Sequence, residues 1–375
     1  MGIVTLALAI LPVFGIASYQ MFQGEVPGPS DEQLKPRLAQ TAKILWGTYG
    51  LLTLAETILL KIGGMSLFEA LCHAFGTMAT GGFSTRNASI ASFNSPFIEW
   101  VIIAFMFFAG TNFIIHYRIF FTGKFDLVKG NREFHFYVTV ILIAIIISTL
   151  VLSFDGLLPV EQIESSFRTE PLVSDGLKEK ISSAQGKLAS FWGTIRYVTF
   201  QVVSITTTTG YCTADFDLWP NVIRFLLVVL MFFGGCAGST GGGMKMIRIM
   251  VILKTAWREV KTLIQPRLIV PLKIEGRAID ERQVANIVGF IALFMTSFVI
   301  LTAVMSFFIE DFTTALTAVV ATICNIGPGL SGVGAAENYA WIPLPGKWVL
   351  TFCMLLGRLE IYTVFIALAP VSWRR

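Results

Sequence analysis

Three short stretches of this chain have the residue types to hold a cation with backbone oxygens. They are Ala79-Thr80-Gly81-Gly82-Phe83, Thr207-Thr208-Thr209-Gly210-Tyr211 and Cys324-Asn325-Ile326-Gly327-Pro328. Each runs from small or polar residues through glycine to a ring or a proline. Each follows a short helix-like stretch and precedes a long apolar one. Polar backbone between apolar segments is costly in lipid unless it lines something wet. The chemistry that fits is a pore whose carbonyls replace the water around a cation. Glycine at Gly82, Gly210 and Gly327 tolerates backbone angles that other residues resist. The short preceding helices would aim their negative dipole ends at the ion.

The elements that must position these strands are membrane spans. The chain has 375 residues, of which 54% are hydrophobic and 14% charged, with mean hydropathy +0.71. A soluble domain carries about 25% charge, so an all-α integral membrane fold is expected. Windows long enough to span lie at Gly2–Ser18, Ile44–Ile62, Phe97–Phe121, Phe136–Phe154, Trp219–Gly235, Val284–Ile309 and Trp348–Pro370. Cys72, Cys212, Cys236, Cys324 and Cys353 are scattered and read as small packing residues. His73, His116 and His135 show no paired spacing, and no span carries a set of side chains suited to acid–base or metal chemistry. An enzyme and a transition-metal site are not expected.

Charge sets the orientation. Lys245–Arg282 holds nine Lys/Arg against four acids, whereas Asp155–Ser190 holds four against six. The first then faces the cytoplasm and the second the other side. From there the chain reads as span, short helix, glycine strand, span, three times over. The expected units are 44–133, 134–283 and 284–375, the second of them carrying the basic cytoplasmic segment. Gly82 and Gly210 lie 128 residues apart, Gly210 and Gly327 117. Extrapolated backwards, the period puts a fourth pattern before residue 1. Residues 1–43 then read as the exit helix and cytoplasmic loop of an incomplete first unit, and the chain as an N-terminal truncation of a four-unit protein around a pseudo-fourfold pore.

Two further features fall inside spans. Six glycines crowd Gly234–Gly243 where the second return span should be mid-membrane. A helix with that many glycines is weak, so an unwound, mobile intramembrane loop is expected. Arg358 and Glu360 stand inside the last predicted span, where a charge is expensive. A cation there would repel other cations below the filter; a structural ion pair is the other reading. Glu56 reads as a helix-packing partner, and the length of the basic segment suggests a cytoplasmic docking surface.

Together these runs resemble the Trk/Ktr/HKT superfamily of cation transporters, and its TrkH-type potassium-translocating subunit most closely. The carriers are Ala79–Thr85, Thr206–Tyr211, Gly234–Gly243, Asn325–Leu330 and Gly357–Glu360, with Met1–Val4 and Pro27–Pro29 resembling the family's first exit helix and loop. The resemblance implies a potassium filter from Ala79, Thr80, Gly81, Gly82, Thr207, Thr208, Thr209, Gly210, Cys324, Asn325, Ile326 and Gly327. It implies a gate from Gly234, Gly235, Gly238, Ser239, Thr240, Gly241, Gly242, Gly243 and Arg358. It further implies a homodimer with one pore per subunit in the inner membrane, and a cytoplasmic nucleotide-binding regulatory subunit of the TrkA/KtrA type. The chain itself would carry no cofactor, K⁺ being the transported ion. The runner-up is a non-conducting remnant or an assembly or regulatory membrane subunit, since a first pore unit is expected to be missing. The sequence leaves K⁺ against Na⁺ open.

Overall fold

The computed structural model describes residues 38–123, 130–154, 191–267, 271–274, 277–359 and 361–368. The expected span at 2–18, the acidic segment within 155–190 and Glu360 lie outside them. The described residues form twelve α-helices in three successive groups. The first holds α1 (Leu38–Ile62), α2 (Leu67–Met78), α3 (Pro96–Ala109) and α4 (Phe113–Thr122). The second holds α5 (Arg132–Phe154), α6 (Phe191–Thr206), α7 (Asn221–Met231) and α8 (Met246–Ile264). The third holds α9 (Glu281–Met305), α10 (Phe312–Ile323), α11 (Leu344–Arg358) and α12 (Ile361–Leu368). The one two-stranded sheet among the described residues lies in the basic segment. Its strands β1 (Lys273–Ile274) and β2 (Arg277–Ala278) pair antiparallel, Lys273 opposite Ala278.

The short helices α2, α6 and α10 start and stop where the residues dictate. Ser66 caps α2 in a reciprocal capping box with Glu69, and both Asp311 carboxylate oxygens receive the first N–H groups of α10. Each short helix packs on the spans of its own group: α2 on α1 and α3, α6 on α5 and α7, α10 on α9 and α11. Return helices also pack forward onto the next group, α3 on α6 and α7 on α10. The three short helices are thereby locked around one centre. Glu56 is fully buried where α1 meets α2.

By length and composition, α5 and α9 can cross a membrane unbroken, and α3 with α4 can do so as one broken span. That break corrects the expected straight span at Phe97–Phe121: the two halves meet at 107°. Gly110 packs against the Tyr137 hydroxyl and the Thr207 methyl, leaving no room for a side chain. Asn112 then restarts the helix by accepting from the Ile114 N–H at 2.9 Å. The last expected span is also broken, since α11 ends at Arg358 and α12 begins at Ile361. With the glycine run after α7, all three return spans are interrupted beneath their strands.

Candidate ion pathway

The three glycine strands are hydrogen-bonded alike. The N–H groups of Gly81 and Gly82 both donate to the Gly76 carbonyl, at 2.7 and 3.3 Å. Thr209 and Gly210 donate to Ser204 at 2.9 and 3.3 Å, and Ile326 and Gly327 to Ala321 at 2.8 and 3.4 Å. In a planar trans peptide the carbonyl points opposite to its N–H. The carbonyls of Thr80, Gly81, Thr208, Thr209, Asn325 and Ile326 therefore face away from the short helices. The backbone achieves this by alternation. Thr80, Thr208 and Asn325 sit at φ of 51°, 59° and 57°, and Gly82, Gly210 and Gly327 at 64°, 83° and 106°. The residue between each pair keeps negative φ.

The strands stand side by side. A Cβ on Gly82 would collide with the Thr209 carbonyl oxygen, and one on Gly210 with that of Ile326. A cavity of about 600 Å³ is lined by Thr80–Phe83 of the first strand, Gly210 of the second and Asn325–Pro328 of the third. Strand exits are braced from outside: the Tyr211 hydroxyl donates to the Phe83 carbonyl at 3.2 Å, and Tyr339 to that of Gly327 at 2.6 Å. Ala79 and Cys324 are the C-caps of α2 and α10, so the strands begin where the helix dipoles end.

Directly below lies the glycine run, and it is unwound as expected. It folds back on itself, with a parallel bridge between Phe233 and Met244 and Gly234 N–H donating to Met244 at 2.8 Å. Its tip touches all three strands. The Thr80 hydroxyl donates to the Thr240 carbonyl at 3.0 Å, and the Gly242 N–H to the Thr208 hydroxyl at 2.6 Å. A Cβ on Gly242 would press on the Cys324 carbonyl at 2.5 Å. The break in α3–α4 supplies the other anchors. Cys236 N–H donates to Gly110 at 2.8 Å, and the Thr240 N–H and hydroxyl to Ala109 at 3.2 and 3.1 Å. Gly238 adopts φ of 76° against Asn112. Ser239, Gly235 and Gly243 are packed within the same loop, Gly235 against Gly110 and Gly243 against Gly234.

Arg358 is the last residue of α11 rather than a mid-helix charge, so it stands where the helix dipole favours a cation. A Cβ on Gly357 would collide with the Ile323 carbonyl, so glycine there lets α11 close on the third strand. The Arg358 guanidinium donates to the Thr240 carbonyl at 3.3 Å. One loop carbonyl thus joins the base of the first strand to the arginine. A small cavity under the loop is lined by Arg358, Arg248 and Lys245, with no carboxylate among its described lining residues.

Sequence reasoning missed Glu133. Its Oε1 accepts from the Ala237 N–H at 2.7 Å and the Ile247 N–H at 3.1 Å, tying the glycine run to the first turn of α8. The signal available was a carboxylate at the inner end of a span. Hydrogen bonds to a charged acceptor contribute about 1.5–3 kcal/mol each. Glu133→Ala is therefore expected to loosen the loop, read as faster amide exchange at Ala237 and Ile247. Unchanged exchange would show that the glycine run holds its shape without the carboxylate.

Three short helices aimed at one centre, three carbonyl strands and a loop beneath them define a helical pore-loop membrane protein. The TrkH family model, described as a cation transport protein, matches residues 1–374, and the chain belongs to that family. It is 37% identical to the Trk system potassium uptake protein TrkH of Salmonella typhimurium, over all of this chain and 71% of that one. It is 31% identical to the Trk system potassium uptake protein TrkG of Escherichia coli, over all of this chain and 70% of the relative. The crystal structure of the potassium transporter TrkH from Vibrio parahaemolyticus matches with TM-score 0.77 and 34% identity, covering all of this chain and 70% of that one.

Proposed function

We propose that this protein takes potassium ions into the cell through a gated, channel-like pathway. The observation that carries the reading is the threefold turning of strand carbonyls away from the helix ends. Thr80–Gly82, Thr208–Gly210 and Asn325–Gly327 supply the ligands, with Ala79, Thr207 and Cys324 at their base. The ion sheds water because these oxygens stand in for it. Gly234–Gly243 and Arg358 form the gate: loop and guanidinium meet at the Thr240 carbonyl under the strands. Unit boundaries near residues 43, 133 and 283 belong to this reading.

The relatives' designation as parts of a Trk system supports an assembly of several components. The reading includes a homodimer and a cytoplasmic nucleotide-binding regulatory subunit, in the inner membrane. K⁺ is cargo, and no resident cofactor takes part. The potassium names of the relatives favour transport over an enzyme.

The test is ion flux. The protein, expressed from its own gene and reconstituted into vesicles, is expected to pass K⁺ and Rb⁺ in preference to Na⁺. Equal passage of the three ions would remove the filter assignment. No cation flux at confirmed incorporation would favour a non-conducting subunit.

A further inference from the structure

A second cavity lies away from the pathway, on the side of the basic segment. It is an open groove of about 580 Å³, bordered by the start of α5, the middle of α8 and the chain leading into β1. Its lining is of two kinds. Arg132, Lys254, Lys261 and Lys273 bring positive charge, and Phe136 and Trp257 bring apolar surface. A fifth cation in the wall, Arg258, is answered by carboxylates, at 2.6 Å from Glu281 and 3.4 Å from Glu259. Lys254 donates to the Lys273 carbonyl at 3.0 Å, and burial together with the Arg132 charge lowers its pKa. An anion in the groove would relieve that repulsion.

The position fixes the kind of anion. Arg132 opens the apolar stretch Arg132–Ser153, which is long enough to cross a membrane. The cations therefore stand at the level where hydrocarbon gives way to headgroups. Helix α8 suits the same depth. It exposes Leu253, Trp257, Val260 and Ile264 beside its lysines, which is the pattern of a helix lying in the interface. Basic pockets at the cytoplasmic ends of spans bind anionic lipid headgroups.

We propose that this groove binds an anionic phospholipid, its phosphate among Arg132, Lys254, Lys261 and Lys273 and its acyl chain along Phe136 and Trp257. The adjoining residue, Glu133, ties the glycine run under the strands to the first turn of α8. A bound headgroup would thus reach the gate through one backbone step. That consequence rests on the gate reading; the binding itself does not.

The experiment measures binding without ion flux. The full chain is placed in bilayers containing brominated phosphatidylglycerol or brominated phosphatidylcholine at equal mole fraction. Quenching of Trp257 is taken as the difference between the unmodified protein and Trp257→Phe. Phosphatidylglycerol is expected to quench more strongly. A Lys261→Gln/Lys273→Gln double substitution is expected to weaken its apparent affinity roughly thirtyfold, each cation near an anionic surface contributing about fivefold. In the unmodified protein the preference is expected to fall with added salt, which keeps the test decisive if the double variant does not fold. Equal quenching by the two lipids overturns the proposal, as does a preference insensitive to salt. Displacement of the lipid by inorganic phosphate overturns it in favour of a free anion. A co-purifying protein cross-linked at Lys261 in place of lipid overturns it in favour of a protein partner.

Discussion

Gly210→Ala is expected to reduce discrimination of K⁺ over Na⁺ by roughly tenfold or more, while leaving the protein in the membrane. Two effects act together. At φ of 83° an L side chain is strained by about 1–2 kcal/mol. The added Cβ also strikes the Ile326 carbonyl oxygen, one of the proposed ligands, so the strain is relieved by turning that oxygen off its direction. A shift of 1.4 kcal/mol between two ions is already tenfold. Gly82→Ala should act alike through the Thr209 carbonyl. The measurement is the ratio of Rb⁺ to Na⁺ flux at matched protein level. A ratio unchanged from the parent would mean that these carbonyls do not set the ion.

Arg358→Ala is expected to raise unregulated K⁺ flux about tenfold. At an effective dielectric of 20, two unit charges 4 Å apart repel by about 4 kcal/mol. Solvent and counter-charge reduce this, and a part of it still exceeds the 1.4 kcal/mol that a tenfold change needs. Arg358 also donates to the Thr240 carbonyl, so its loss frees the loop as well. Two companions separate the roles. Arg358→Gln keeps a hydrogen-bond donor without charge, and Arg358→Lys keeps the charge without the planar guanidinium. If repulsion closes the path, glutamine leaks and lysine does not. If the latch closes it, glutamine holds. Parental or lower flux in the alanine variant would make Arg358 a structural residue.

Much of this arrangement was legible in the sequence, and the reasons differ by element. The strands were legible because local chemistry forms them: Thr80, Thr208 and Asn325 adopt the same backbone angle at the same offset from their glycines. The helices α2, α6 and α10 were legible because they are short, apolar and capped or stopped by neighbours in the chain. The unwinding of Gly234–Gly243 followed from glycine content alone. The break between Ala109 and Phe113 was not legible. It exists because Cys236 and Thr240, more than 120 residues away, take the carbonyls of Gly110 and Ala109 out of the helix. Arg358 looked like a mid-span charge because apolar residues continue beyond it. Its place at a helix end depends on α11 closing against Ile323 through Gly357. Glu133 was missed because its partners are backbone N–H groups, which leave no side-chain pattern to read.

In the proposed pathway the turned carbonyls hold the cation. Diffraction from crystals grown in Rb⁺, recorded at the rubidium absorption edge, tests it most directly. Anomalous density is expected between the strands, within ligand distance of the carbonyls of Thr80, Gly81, Thr208, Thr209, Asn325 and Ile326, with weaker density there when Na⁺ replaces most of the Rb⁺. Rubidium found only elsewhere in the molecule, with nothing against those oxygens, would contradict it.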